Sequence, residues 1–427
     1  MTDDAAAPST SASRLGIVAM VLVALAQFGN FYVYDSIGPV ADLLQRQLGF
    51  SDTQIGTLNA IYSLPNVVLV LTGGILVDRF GAGKMITWTS AVCFLGGVLT
   101  AASGSFPVMA VGRLLYGIGA ETFQIATLAA VTLWYPRRHT ALMMGLTLGI
   151  GRAGSWMADL SPTWASWAYG RGWQGALGLA AAIAGTSFVA SAAYWLLERR
   201  GGPEGAAERQ ATEFRWRDML RFGGPYWYLL TLCVLWYAVI LAFRSTFSIK
   251  YFQHAHGLPL EAAGAINSHV FLAALFATPI FGWLCDRHGR YAGPLLFGAV
   301  LLPIALGVMM TGQGGSGLGL ATVLIGVSYS LVPAAMWPLV SRLVAPSRFG
   351  TAIGLMWVIQ NAGIAGANLV AGWLNDVAGA SAAHAAGYRP MMIFFTASST
   401  VGAVFALVLW LRTRGREAVV AGESAAG

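Results

Sequence analysis

The segment GGILVDRFG at Gly73–Gly81 recurs as FGWLCDRHG at Phe281–Gly289, 208 residues further along the chain. Three identities share this separation, and they are Gly49 with Gly257, Gly56 with Gly264, and Asn59 with Asn267. Matches at one fixed separation indicate that two halves of the chain have the same fold and the same orientation.

The repeat lies in a chain of long apolar runs. Hydrophobic residues make up 56% of the 427 positions and charged residues only 10%, whereas an average soluble domain has about 25% charged residues. A helix that crosses a ~30 Å hydrocarbon core needs about 20 apolar residues, and lipid permits only helices or closed barrels to span it. The runs are too long for barrel strands. We therefore expect an all-α membrane protein with twelve transmembrane helices in two pseudo-symmetric six-helix halves.

The predicted helices cover 15–43, 53–77, 85–105, 107–134, 139–162, 174–197, 226–251, 259–284, 291–311, 318–341, 350–374 and 390–411. The predicted domains are an N-terminal tail (1–14), a first half (15–197), a linker (198–225), a second half (226–411) and a C-terminal tail (412–427).

The loops on the side of the termini and the linker hold 18 Lys and Arg residues, and the opposite side holds 4. Basic residues accumulate in cytoplasmic loops. Both termini and the linker are therefore expected in the cytoplasm, and the Ala- and Gly-rich composition with short loops favours a bacterial inner (plasma) membrane.

Several functional classes are not supported by the sequence. The net charge of +7 follows from the loop bias and does not call for a nucleic-acid partner. Cys93, Cys233 and Cys285 lie in apolar segments at unrelated spacings, which suggests neither a disulfide framework nor a metal site. Neither a Walker-type phosphate loop nor a nucleophile–histidine–acid arrangement is recognisable, so we expect neither ATP drive, nor an enzyme, nor a cofactor.

The element Gly74-x-x-x-Asp78-Arg79-x-Gly81 joins the second and third helices. Glycine permits close helix packing, and an aspartate can accept from helix N-terminal amides or pair with a basic neighbour. The second half repeats the element with Asp286 and Arg287. We predict that both copies act in conformational change.

Two opposite charges lie at one depth in adjacent helices. Glu121 is about 21 Å along helix four and Arg152 about 20 Å along helix five, at 1.5 Å per residue. They either form a structural ion pair or present separate charges to a zwitterionic substrate, with arginine on a carboxylate and glutamate on an ammonium. Further polar candidates to line this site are Tyr62, Asn66, Tyr329, Gln360 and Asn361.

The loop element and Arg113-x-x-x-Gly117-x-Gly119 resemble motifs of the major facilitator superfamily, and the general resemblance covers about residues 15–411. Gly119-Ala-Glu121, Gly151-Arg152-Ala-Gly154-Ser155 and Gln360-Asn361-Ala-Gly363 are similar to its branch of lysosomal dipeptide carriers. The resemblance implies a peptide-type substrate whose termini are held by Glu121 and Arg152. It also makes proton coupling an alternative role for Arg113, beside a structural role in which Arg113 binds carbonyls of adjacent helices.

Arg244 departs from the branch pattern. A second buried arginine would favour anions. The repeat offset, however, places Arg244 opposite a position beside Asp35 near the extracellular end, so an Asp35–Arg244 gate pair is the alternative. Asp159 is a further intramembrane carboxylate with an open role. His269 either carries a coupling proton or packs as a hydrogen-bonded side chain.

Together these patterns predict a secondary transporter of a small zwitterionic or anionic solute, with a dipeptide or amino-acid derivative as the first candidate. An organic-anion (monocarboxylate-type) carrier is the alternative, and a transporter-fold sensor is a more distant one. We expect a monomer in the lipid bilayer that uses no metal, with proton coupling as an option. The lysosomal branch has an accessory subunit, for which this sequence carries no signal.

Overall fold

The computed structural model describes residues 10–135, 137–201, 221–289, 291–311 and 315–425. Its helices are α1 (Thr10–Asp35), α2 (Ile37–Leu48), α3 (Asp52–Ser63), α4 (Asn66–Phe80), α5 (Ala82–Ala102), α6 (Phe106–Trp134), α7 (Arg137–Asp159), α8 (Ser161–Trp164), α9 (Ser166–Tyr169), α10 (Gly172–Gly201), α11 (Gly224–Ala242), α12 (Ser248–His256), α13 (Leu260–His288), α14 (Ala292–Thr311), α15 (Gly315–Leu343), α16 (Phe349–Val377) and α17 (Arg389–Ala425). A π turn (Phe243–Phe247) joins α11 to α12, and 3-10 turns occupy Pro346–Arg348 and Ala385–Tyr388.

In the described part of the chain, this order gives twelve crossings in two halves of six. The first crossing is α1–α2, the second is α3–α4 and the seventh is α11–α12, while α5, α6, α7, α10 and α13 to α17 each cross once. Within the described ranges, ten segments are long and apolar enough to span a membrane. The other two crossings are α3–α4, which Leu64 and Pro65 interrupt, and α7, which carries basic residues in its first turn.

The two halves use the same helix packing. In the first half, α1 packs on α7 and α10, and α5 packs on α6 and α10. In the second half, the corresponding helix α11 packs on α16 and α17, and α14 packs on α15 and α17. The two-half architecture expected from the repeat is therefore present.

Two faces of the bundle are used as reference below. The face on which α1 begins and α17 ends is called the termini face, and the opposite one the far face. Large apolar side chains such as Ile75, Val189 and Phe276 are more than half exposed on the bundle surface. Such exposure is favourable where the solvent is hydrocarbon.

Local breaks shape the crossings that carry polar residues. Proline removes a backbone donor, and α3 accordingly ends at Ser63 while α4 begins at Asn66, although Leu64 and Pro65 between them keep helical φ and ψ. The π turn places Arg244 inside the seventh crossing. Two helices extend beyond the predicted ends of the halves: α10 continues past 197 to Gly201, and α17 continues past 411. Most of the predicted linker, residues 202–220, lies outside the described ranges.

Candidate functional site

Glu121 lies at the middle of α6 beside the break in the second crossing. Its Oε1 accepts a hydrogen bond from Asn66 Nδ2 at 2.6 Å, and the Tyr62 hydroxyl lies 3.5 Å away. Asn66 Nδ2 also lies 3.0 Å from Asn361 Oδ1 of α16. Glu121 therefore has neutral partners, and Asn66 connects it to the other half.

Arg152 of α7 lies among aromatic rings. Its guanidinium carbon is 4.5 Å from the ring centre of Phe31, 5.1 Å from that of Tyr329 and 5.3 Å from that of Phe271. Cation–π contacts contribute about 0.5–2 kcal/mol each. Among the described residues no carboxylate lies within ion-pair distance of Arg152, so the alternative of a direct Glu121–Arg152 pair does not describe this structure.

The remaining predicted lining residues divide into two groups. Tyr62, Asn66 and Asn361 gather at Glu121, and Tyr329 lies at Arg152, where it also stacks on Trp236 with ring centres 5.9 Å apart. Gln360 is directed elsewhere, since its Oε1 accepts from Cys233 Sγ within the second half at 3.5 Å.

Arg113 is fully buried, and its hydrogen bonds go to neutral acceptors. Its guanidinium donates to the carbonyl oxygens of Val33, Tyr34 and Leu58 at 3.1–3.3 Å and to Asn59 Oδ1 at 2.6 Å. These bonds tie α6 to α1 and α3. They match the structural alternative for this arginine.

The Asp35–Arg244 contact expected from the repeat is present, and it has a third member. Arg244, on the π turn, forms ion pairs with Asp35 at the end of α1 and with Asp159 at the end of α7. The three side chains are at most 2% exposed. Because two carboxylates share this guanidinium, Arg244 is not free to bind an anionic solute as the organic-anion alternative requires.

Further polar contacts join the halves between Arg244 and the far face. Asn59 Nδ2 donates to Thr246 Oγ1 at 2.7 Å, and Thr246 donates to Asn368 Oδ1 at 2.6 Å. Nearer the far face, buried Lys250 pairs with buried Asp52.

The outermost contacts cap this series. The Asp376 carboxylate accepts from the backbone amides of Asp52 and Thr53 at 2.7 and 2.8 Å, at the N-terminus of α3. His254 Nε2 lies 2.8 Å from Asp42 Oδ1 and its Nδ1 lies 2.8 Å from the Tyr388 hydroxyl. We call the set from Arg244 to His254, with these partners, the far-face gate.

Glycines allow the halves to approach at this gate. A Cβ would press on the backbone of the opposite half at four of them: Gly38 against Ser245, Gly56 against Asn368, Gly264 against Asp159, and Gly372 against Asp52. Gly56 and Gly264 are the pair related by the repeat. The far side of the bundle is thus closed by close backbone contact as well as by charge.

The other predicted residues lie apart from these two sites. His269 is half-buried on α13, and a Cβ on Gly319 of α15 would lie 3.8 Å from its Nδ1, so it faces its own half rather than Glu121 or Arg152. Asp78 and Arg79 are exposed on the termini face, and Gly81 has the positive φ of +84° that lets the chain turn into α5.

The glycine packing expected at Gly74 is not formed by the part of the chain that the structure describes, in which nothing lies within 4 Å of a Cβ built on this residue. In the second copy, Arg287 lies over the Trp283 ring at 5.1 Å, while the side chain of Asp286 lies outside the described residues.

Sequence reasoning missed the aromatic surroundings of Arg152 and most of the gate. In the sequence, Phe31 and Phe271 are apolar positions with no sign of a contact to an arginine. Lys250 is one of the four basic residues predicted on the side opposite the termini, and nothing there indicates that it is buried. A signal existed for Asp52, Asp42 and His254, since charged residues near span ends at matching depths can pair across helices.

Comparison with known proteins agrees with this architecture. The sequence profile of the Major Facilitator Superfamily matches residues 23–367 and 245–426. The lysosomal dipeptide transporter MFSD1 of Bos taurus is 30% identical over 425 residues, which cover 95% of this chain and 86% of that protein. A Cupriavidus necator protein named "Probable sulfoacetate transporter SauU" is 26% identical and covers 64% of this chain and 66% of its own length. Among solved structures, a bacterial homologue of the human lysosomal transporter Spinster, in an inward-facing and unoccupied conformation, has a TM-score of 0.75 at 16% identity, over 96% of this chain and 99% of its own.

Proposed function

The chain belongs to the major facilitator superfamily, and from that premise we propose that it carries a small zwitterionic solute, most favourably a dipeptide, bound between Glu121 and Arg152. The two six-helix halves would alternate access to this site by rocking against each other.

The observation that carries the proposal is the separation of a buried carboxylate, Glu121, from a half-buried guanidinium, Arg152. Among the residues that the structure describes, Glu121 has neutral donors only, and Arg152 has aromatic faces around it and no carboxylate. Buried charges are costly unless they are paired. A zwitterion would satisfy both, since its carboxylate fits the fork of a guanidinium and its ammonium fits a carboxylate. The name of the cattle relative, a dipeptide transporter, supports the same class of solute.

The far-face gate fits one end state of such a cycle. We propose that breaking the contacts of Arg244, Lys250 and His254 opens the solute site to the far face. The loop elements at Asp78 and Arg287 would form contacts between the halves on the termini face when the far face is open. Asp35 and Arg244 are thus assigned to the gate, and His269 and Arg113 to neither the solute site nor the gate.

We also propose the membrane arrangement from the loop charges. The basic surplus around the termini favours a cytoplasmic termini face, in a bacterial inner membrane, with the chain acting as a monomer. The far face would then be extracellular or periplasmic.

An organic-anion carrier is the second candidate, and the likeness to the sulfoacetate transporter SauU favours it. In that case Arg152 alone would bind the anion, because Arg244 is neutralised by Asp35 and Asp159. Glu121 would then be dispensable for binding.

Thermal stabilisation of the purified protein separates the candidates. A solute at 100 times its Kd stabilises the native state by about 2.7 kcal/mol. We expect dipeptides to raise the Tm of the wild type, and Glu121→Gln and Arg152→Gln to lose most of that shift, since a hydrogen bond to a charged group is worth about 1.5–3 kcal/mol. Glu261→Gln, at an exposed position on α13, is the matched control and should keep the shift. Stabilisation by simple carboxylates that survives Glu121→Gln would replace the dipeptide assignment with the anion carrier.

A further inference from the structure

Two carboxylates of one half share a single guanidinium of the other half. Asp35 and Asp159 are the last residues of α1 and α7, and both pair with Arg244 of the π turn. When the far-face gate opens, the halves separate, so both carboxylates must leave their shared cation together.

The hydrogen bonds of this cluster are unequal. The Asp159 carboxylate accepts from Arg244, whereas Asp35 Oδ2 is fully buried and has no donor among the described residues. Arg244 Nε, also buried, has no acceptor. A buried ionised oxygen without a donor costs considerably more than the same oxygen in a neutral carboxyl group. Two nearby carboxylates disfavour each other's ionisation and titrate as a pair.

Other charges nearby do not complete the cluster. Lys250 is paired with Asp52, Arg152 lies on aromatic rings, and Arg113 donates to carbonyls and Asn59. Arg113 acts on Asp35 only through space. The titratable or charged side chains that face the cluster from the surrounding elements are Tyr34 (α1), Arg113 and Tyr116 (α6), Tyr169 (α9) and Tyr329 (α15).

We propose that Asp35 and Asp159 together bind one proton when the far-face gate is closed and release it when the gate opens. The bound proton sits on a carboxylate oxygen of the pair, leaving one negative charge to balance Arg244. Upon opening, water replaces Arg244 at both carboxylates, the pair regains its ordinary hydration, and the proton leaves to the far-side solution. This proton site is separate from the proposed solute site between Glu121 and Arg152, and its test does not require a solute.

The sign of the linkage follows from the closed state binding one more proton than the open state. Higher pH then favours the open gate, and the ratio of open to closed protein rises by up to tenfold per pH unit. Acidic solution at the far face holds the gate shut.

Thiol labelling of a cysteine inside the gate measures rare opening. Ile249 is fully buried on α12, close to Gly38 of α2, so Ile249→Cys reacts with N-ethylmaleimide only while the far face is open. Ala383→Cys, exposed on the far face, is the reference that corrects for the pH dependence of the thiol itself. The native cysteines are buried.

We expect the Ile249→Cys to Ala383→Cys rate ratio, measured between pH 5 and pH 8, to rise with pH by up to tenfold per pH unit. Asp35→Asn and Asp159→Asn should each flatten the ratio to within about twofold, because either change leaves a single carboxylate for Arg244. Asp35→Glu keeps the carboxylate and should keep the slope, which separates loss of the proton from loss of folding.

Two results would overturn the proposal. One is a flat ratio in the otherwise wild-type protein, which needs no further variant to interpret. The other is a slope that persists in both Asn variants but disappears in His254→Gln, which would assign the proton to the His254 contact with Asp42 and Tyr388.

Discussion

Gly372 offers the sharpest test of how the far-face gate closes. A Cβ built on this residue of α16 would lie 2.7 Å from the carbonyl carbon of Asp52 and 2.8 Å from the Cα of Thr53, whereas ordinary contacts begin at 3.4 Å. The Asp52 carbonyl oxygen lies nearer still, so Gly372→Ala forces α16 and the start of α3 apart by at least about 0.7 Å.

That displacement stretches the hydrogen bonds between the start of α3 and Asp376 of α16. The Asp376 carboxylate accepts from the Asp52 and Thr53 amides at 2.7 and 2.8 Å. Lengthening these bonds by the required amount carries both beyond the usual ~3.2 Å limit for N–H···O bonds. Hydrogen bonds to charged groups are worth about 1.5–3 kcal/mol, so two of them cost at least about 3 kcal/mol, or roughly a hundredfold in the ratio of closed to open gate.

Distance measurement by pulsed electron spin resonance can follow this change. Spin labels at Ser166→Cys and Ala383→Cys, exposed on the far face of opposite halves, should shift to longer separations in Gly372→Ala. Gly366→Ala is the matched control, since it lies on the same helix with nothing within 4 Å of its Cβ. If the two glycine variants give the same distance distribution as wild type, close backbone contact does not control the gate.

Two further substitutions test buried charges outside the solute site. Lys250→Met leaves Asp52 buried without its cation and should lower stability by about 3–5 kcal/mol, measured by thermal unfolding, while adding Asp52→Asn should recover most of the loss; an undisturbed Tm in Lys250→Met would mean that water reaches Asp52. Arg113→Lys keeps the charge but cannot reach all four acceptors of Arg113, so it should lower the Tm by the equivalent of about 1–2 kcal/mol with solute affinity unchanged; a normal Tm with altered pH dependence of transport would instead favour a coupling role.

The repeat and the apolar runs predicted the architecture, because both depend on local pattern and helix length. The depth of Glu121 and Arg152 in the membrane could also be predicted from the sequence, because the rise per residue is fixed in a helix. The offset of the repeat similarly located Asp35 opposite Arg244. Each of these predictions needed only distance along a helix axis.

The sequence does not determine the direction in which each side chain points around its helix axis. The sequence gives the depth of His269 but not its direction. The polar residues Asn267, Ser268 and His269 are consecutive on α13, so they point to different sides of the helix and define no polar face. The orientation of Arg244 depends on the π turn, which the sequence does not signal. The aromatic rings around Arg152 come from α1, α13 and α15, so only the tertiary fold brings them together.

The ring of Phe271 connects the proposed solute site to the far-face gate. The Arg244 guanidinium carbon lies 3.8 Å from its centre and that of Arg152 lies 5.3 Å from it. A solute carboxylate that draws Arg152 away changes the field that Arg244 experiences across the same ring. Coupling between two binding events is reciprocal, so the state of the gate changes the affinity for the solute by the same factor as the solute changes the gate. An affinity measured for this protein is therefore an average over gate states, and it will move with any condition that moves the gate.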